Sequence, residues 1–165
     1  MIAIEEKCGT KDERDLTNLF ARLGARNPEQ WARSQIEERI PQVARFLFLR
    51  QAWKLVVPEH DCNWIDEQAN IAIGQPGGSI GAALGRLLAH GADRDDLTTV
   101  VRVMQWKLLA GLCYLLDDPG TLESEVKDVS WRLFQTDDDG QPIAVIASLH
   151  ESVLDTEPSG QEMRA

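Results

Sequence analysis

Between about residues 94 and 116, apolar side chains recur at intervals of three and four, so Leu97, Val100, Val101, Met104, Leu108, Leu112 and Leu115 share one helical stripe. Trp106, Leu109, Cys113 and Leu116 fill much of the other side beyond Lys107. A helix that is apolar all round is enclosed by its neighbours, which predicts a water-excluded central rod here. Asp93, Asp95 and Asp96 place negative charge at its positive end, and Asp117-Asp118-Pro119-Gly120 stops it.

The same period, broken by Gly and Pro, predicts shorter helices upstream. Thr10-Lys11-Asp12-Glu13 has the spacing of a capping box; Leu16, Leu19, Phe20 and Leu23 follow on one face, and Gly24 ends the run. Asn27-Pro28 restarts a helix carrying Trp31, Ile36 and Ile40, which Pro41 must kink or end. Val43, Phe46, Leu47, Trp53 and Leu55 predict a third helix before Pro58. Phe46-Leu47-Phe48-Leu49 alone would also fit a buried strand, and the length between the prolines favours helix. Asp61 is placed to cap a short helix with Trp64, Ile65 and Ala69. Ser79 is placed to cap another, whose Gly81, Ala82, Gly85 and Ala89 would let a backbone approach closely.

Past a short helical turn at 122–126 the period falls to two. Residues 130–136 read as a strand, Asp137-Asp138-Asp139-Gly140 as a turn, and residues 143–146 as the returning strand, with Pro142 confining it to an edge. Two strands are marginal alone, and Ile2-Ala3-Ile4 would supply a third. The fold class that follows is mainly α: a compact single-domain helical bundle over residues 1–157 with a C-terminal antiparallel β-hairpin at about 130–147, then a mobile tail at 158–165.

Composition narrows the class of partner. The 165 residues carry 17 Lys and Arg against 27 Asp and Glu, a net charge of −10, which repels nucleic acid and anionic lipid and attracts cationic proteins. Solubility alone also favours such a surface. Cys8, Cys62 and Cys113 lack a disulfide framework, and the first residues lack a signal-peptide pattern, so a cytoplasmic location is expected. The apolar run from Leu108 to Leu116 is about half the length that spans a bilayer, so no membrane association is expected.

Candidate chemistry is sparse. Gly77-Gly78-Ser79-Ile80-Gly81 satisfies G-x-S-x-G, the strand-to-helix elbow that exposes a nucleophilic serine, and His150 lies downstream with acids between. The elbow needs a parallel sheet that the preceding helices do not supply, and a serine at a helix cap explains the residue more simply. Neither nucleotide fingerprint follows these glycines. His60, Asp61 and Cys62 are too few for a closed metal site, His90 is isolated, and the Asp137–Asp139 triplet lacks the later ligands of a calcium loop, so no metal or cofactor is expected. What remains is an acidic constellation of Asp117, Asp118, Asp128, Asp137, Asp138 and Asp139, beside Trp131 and Phe134 as aromatic anchors.

These features point to a non-enzymatic protein-binding protein, of the immunity or antitoxin type, whose acidic surface engages a basic effector. The alternatives are a small serine hydrolase using Ser79 and His150, or a structural or regulatory subunit that forms a homo-oligomer.

Overall fold

The structure of the chain, a computed structural model, describes residues 11–120 and 122–164. The expected Thr10 cap, the third strand at Ile2-Ala3-Ile4 and Cys8 lie outside these residues. Within them the fold is mainly α with a C-terminal antiparallel hairpin. Helices α1 (Lys11–Leu23), α2 (Pro28–Glu37), α3 (Gln42–Trp53), α4 (Asn63–Ala69), α5 (Ile80–Ala89) and α6 (Arg94–Asp117) lead to strands β1 (Leu133–Thr136) and β2 (Pro142–Ile146). Helix α7 (Leu149–Ser152) and a 3-10 turn at Leu154–Thr156 follow. The described residues divide into two compact units, one formed by the chain up to Gln51 and from Leu112 onward, the other by Ala52–Gly111.

The elements begin and end where backbone chemistry requires. Gly24 takes a left-handed conformation (φ +88°) that releases α1, and Pro28 opens α2 without losing a useful donor. Arg39 (φ 57°) turns the chain after α2, two residues before the proline expected to stop it. The run Phe46-Leu47-Phe48-Leu49 is helical. The Asp61 carboxylate accepts the Asn63 amide at 3.0 Å at the start of α4, and Asp93 accepts those of Asp95 and Asp96 at the start of α6.

In the first of these units, Phe20, Trp31 and Phe46 bring α1, α2 and α3 together. Their ring centroids lie 5.2–5.8 Å apart, with both edges involving Phe46 T-shaped, the geometry that opposed ring quadrupoles favour. Leu16, Leu23, Ala25 and Val43 pack around this triad. Ile146, Leu149 and Val153 are buried downstream. Arg26 ties residues 154–162 to the start of α2, donating to the carbonyls of Leu154 (2.7 Å) and Gly160 (2.8 Å) and pairing with Glu162.

In the unit of residues 52–111, Trp64, Ile65 and Leu84 form the core with Leu97 and Val101 against it. Helix α5 approaches the end of α4 at very short range, where a Cβ on Gly81 would stand 2.9 Å from the Ala69 carbonyl oxygen; in the loop between them a Cβ on Gly78 would meet the Ala72 carbonyl.

The expected central rod is not water-excluded. On α6 the buried positions are Thr98, Arg102 and Cys113, whereas Val100, Met104, Leu108 and Tyr114 are more than half exposed and Leu112 and Leu115 nearly so. Hydrogen bonds chose the face. Thr98 accepts the Trp64 indole N–H at 2.9 Å, the Val57 amide donates to Gln105 at 2.7 Å, and Arg102 donates to the Val57 carbonyl at 2.7 Å while lying over the Trp53 ring. Apolar side chains all round the helix gave no preference, so satisfying these buried polar groups decided the orientation. By length and composition α6 would also suffice to cross a bilayer.

Candidate functional site

The C-terminal hairpin carries Phe134 and the Asp137–Asp139 triplet named among the candidate partner-binding residues. Phe134 pairs with Val145 and Gln135 with Ala144 before a bulge leaves Thr136 opposite Pro142. Strand alternation then sorts the side chains: Ile146 is buried and Leu133 half-buried, while Phe134 (43%), Val145 (41%) and Ile143 (59%) stay exposed. The turn is built by Asp137, whose carboxylate accepts the amides of Asp139 (3.0 Å) and Gln141 (2.7 Å), with Gly140 at φ +78°. Asp137 is therefore a structural acid, and Asp138 and Asp139 carry the free charge at the tip. Asp118, Glu123, Glu125 and Asp128 are exposed between α6 and the hairpin, with Lys127 and Arg132 among them. Trp131 is half-buried and donates its indole N–H to the Leu115 carbonyl at 2.7 Å, satisfying an orphan acceptor at the end of α6.

Asp117 stands apart from that surface. Its side chain is only 8% exposed and accepts both the His150 ring nitrogen Nδ1 (2.6 Å) and the His150 amide (3.1 Å), so it clasps the start of α7 to the end of α6. Burial pushes its pKa up, but the hydrogen bonds from His150 and from the Leu149 amide outweigh it and hold the carboxyl below its usual value. Tyr114 packs edge-on against the His150 ring at 5.1 Å. An acid that orients a histidine supplies two of the three members of a nucleophilic triad. The thiol one helical turn away, Cys113, is buried, and burial followed by the Asp117 charge pushes its pKa to about 11, so it stays protonated at neutral pH.

Ser79 belongs to the other unit from His150. It sits in ordinary right-handed backbone (φ −73°, ψ −16°) at the start of α5, after turns and bends, with no strand leading into it. A nucleophile elbow requires that strand and a strained turn. The hydroxyl makes no capping bond either. Of this motif, Gly81 serves the close approach of α5 to the end of α4, and Gly78 the tight turn against Ala72. No group of three His, Cys, Asp or Glu placed to hold a metal ion occurs among the described residues. His60 is exposed beside Glu59, His90 lies at the end of α5, and Cys62 lies 3.4 Å from Asp95.

Sequence reasoning missed a polar cleft of about 400 Å³ where α2 and the start of α3 meet residues 151–162. Its floor includes Gln42 and Arg45, each 5% exposed. The signal was present: Gln42, Arg45, Phe46, Leu49 and Trp53 lie at helical spacing, and all five are buried, so two polar residues share an inward apolar stripe. No protein-family model, curated protein or solved structure matches this chain.

Proposed function

We propose that this chain is a protein-binding protein, of the immunity or antitoxin kind, that engages a basic protein through its hairpin face. The observation that carries the reading is the exposed Phe134–Val145 pair, with Ile143 beside it, on a hairpin whose tip bears Asp138 and Asp139. Exposed aromatic and branched side chains supply the desolvated centre of an interface, and a surrounding acidic field steers a cationic partner and rejects anionic ones. The net charge of −10 acts in the same direction over longer range.

The test is affinity capture with the intact protein beside a variant carrying Phe134→Ser, Asp138→Asn and Asp139→Asn, which spares the turn-building Asp137. A basic protein retained in stoichiometric amount by the native chain should be lost by the variant. It should also be released between about 50 and 500 mM salt, as screening shortens the reach of surface charge. Identical retention by both proteins, or binding indifferent to salt, overturns the reading.

A second reading, self-association, is favoured by one observation. Val100, Met104 and Leu108 form an exposed apolar stripe on α6, and a second copy would cover it.

A further inference from the structure

The hairpin is a sheet of two strands, so each strand has one paired edge and one outer edge. The two outer edges differ. That of β2 starts at Pro142, which has no amide to offer, and the bulge leaves Ile143 as an extra residue in this strand. Proline and bulges both keep a sheet edge from pairing further. The edge of β1, Leu133-Phe134-Gln135-Thr136, contains no proline, glycine or charged side chain. Its main chain is also turned the right way. The Asp137 amide donates inward to the Gln141 carbonyl at 3.0 Å. Main-chain groups alternate in direction along a strand, so Gln135 and Leu133 also turn theirs towards β2, and Phe134 and Thr136 turn theirs to the outer edge. No hydrogen bond from outside the hairpin reaches these two amides among the described residues.

Charge says what fits such an edge. Arg132 precedes β1 and Asp137-Asp138-Asp139 follows it, and Arg132, Phe134, Thr136 and Asp138 are all exposed. Arg132 donates to the carbonyl of its own neighbour Trp131 at 2.9 Å, and neither Arg132 nor Asp138 has an ion pair among the described residues. A strand that is positive at one end and negative at the other complements a copy of itself run antiparallel. A parallel copy would set Arg132 against Arg132 and acid against acid, which repel.

We propose that β1 pairs with β1 of a second copy, antiparallel about a twofold axis at Phe134, and joins the two hairpins into one sheet. Phe134 then stands opposite the second copy's Phe134. Arg132 lies opposite the second copy's Thr136 and diagonal to its Asp138. This register brings outward amides to outward carbonyls and the exposed rings to one another. The contact is isologous, so each charge pair is made twice. It uses the edge of the hairpin and leaves Ile143, Val145 and Asp139 exposed on it. It is separate from the α6 stripe, and its test does not depend on a basic partner.

The experiment is sedimentation equilibrium of the intact protein from about 5 to about 500 µM, where a reversible monomer–dimer equilibrium is expected. Arg132→Glu and Asp138→Arg change exposed positions, so each should keep the native circular dichroism and dimerise at least tenfold more weakly. Mixed in equal amounts, these two variants should recover a heterodimer, because one contact then carries the charge pair reversed and the other carries it as in the native protein. In the native protein the Phe134 and Thr136 amides should exchange with deuterium more slowly as concentration rises, while those of Leu133 and Gln135 should not change. A monomer at every concentration overturns the proposal; if its Phe134 and Thr136 amides are already protected, the edge belongs to residues of the same chain. A dimer dissolved by Leu108→Glu, mixed variants that stay monomeric, or Phe134 and Thr136 exchange indifferent to concentration would each overturn it as well.

Discussion

Asp117 is buried and holds its carboxylate on donors from His150 and the Leu149 amide, so its charge is held in place rather than displayed. Asp117→Ala leaves those donors unanswered and should cost about 1.5–3 kcal/mol at pH 7, read from urea unfolding. The folded pKa lies below the ordinary value despite burial, because the hydrogen bonds win. The contribution is therefore complete above the unfolded value of about 4 and is lost as pH falls through the lower folded value. The gap between the two proteins should persist at about pH 5 and narrow towards about pH 2; a gap that widened on acidification would contradict the clasp. The Gly-Gly-Ser-Ile-Gly run gives a second test. Gly78→Ala drives a methyl group into the Ala72 carbonyl and should cost about 1–3 kcal/mol, whereas Ser79→Ala should change stability by less than about 0.5 kcal/mol, since its hydroxyl caps nothing. The sequence showed these residues as a motif but not their purpose. What Gly78 must avoid is the Ala72 carbonyl, an approach set by how the intervening turns fold and not by the residue pattern. Arg45 was hidden in the opposite way, as a charged residue sharing with Gln42 the inward, otherwise apolar stripe of α3.

The boundaries of the elements were legible because Gly24, Pro28, Asp93 and Pro119 act on the backbone within a few residues of themselves. The hairpin was legible from its change of period and from Asp137 through Gly140. The inward face of α6 was not. Its partners Trp64 and Val57 lie 34 or more residues away from the side chains they satisfy, and a uniformly apolar helix offers no stripe to follow. This inversion makes a prediction contrary to hydropathy. Thr98→Val should leave the Trp64 indole N–H buried without an acceptor and cost about 1–3 kcal/mol. Leu108→Ser, at a position 64% exposed, should cost less than about 0.5 kcal/mol. Thermal unfolding of the two variants ranks them directly, and a larger loss from Leu108→Ser would restore the helix as a central rod.

At the scale of the whole molecule, a charge of −10 opposes both compaction and association, while the exposed Val100, Met104 and Leu108 favour association. Salt separates the two effects. At low ionic strength like charges repel beyond the dimensions of a small protein, and at about 0.3 M the Debye length is only about 5–6 Å. Screening should then raise the unfolding temperature by about 2–4 °C, the equivalent of about 1 kcal/mol for a chain of this size. If the α6 stripe is the surface that copies share, the same salt should raise the weight-average sedimentation coefficient with protein concentration. Leu108→Glu should abolish that rise while keeping the salt-dependent gain in unfolding temperature, because the substitution places charge on the stripe without touching the buried face of the helix. A native protein that remains monomeric at high salt would leave the stripe without a second copy to cover it. A rise that survives in Leu108→Glu would move self-association to another surface.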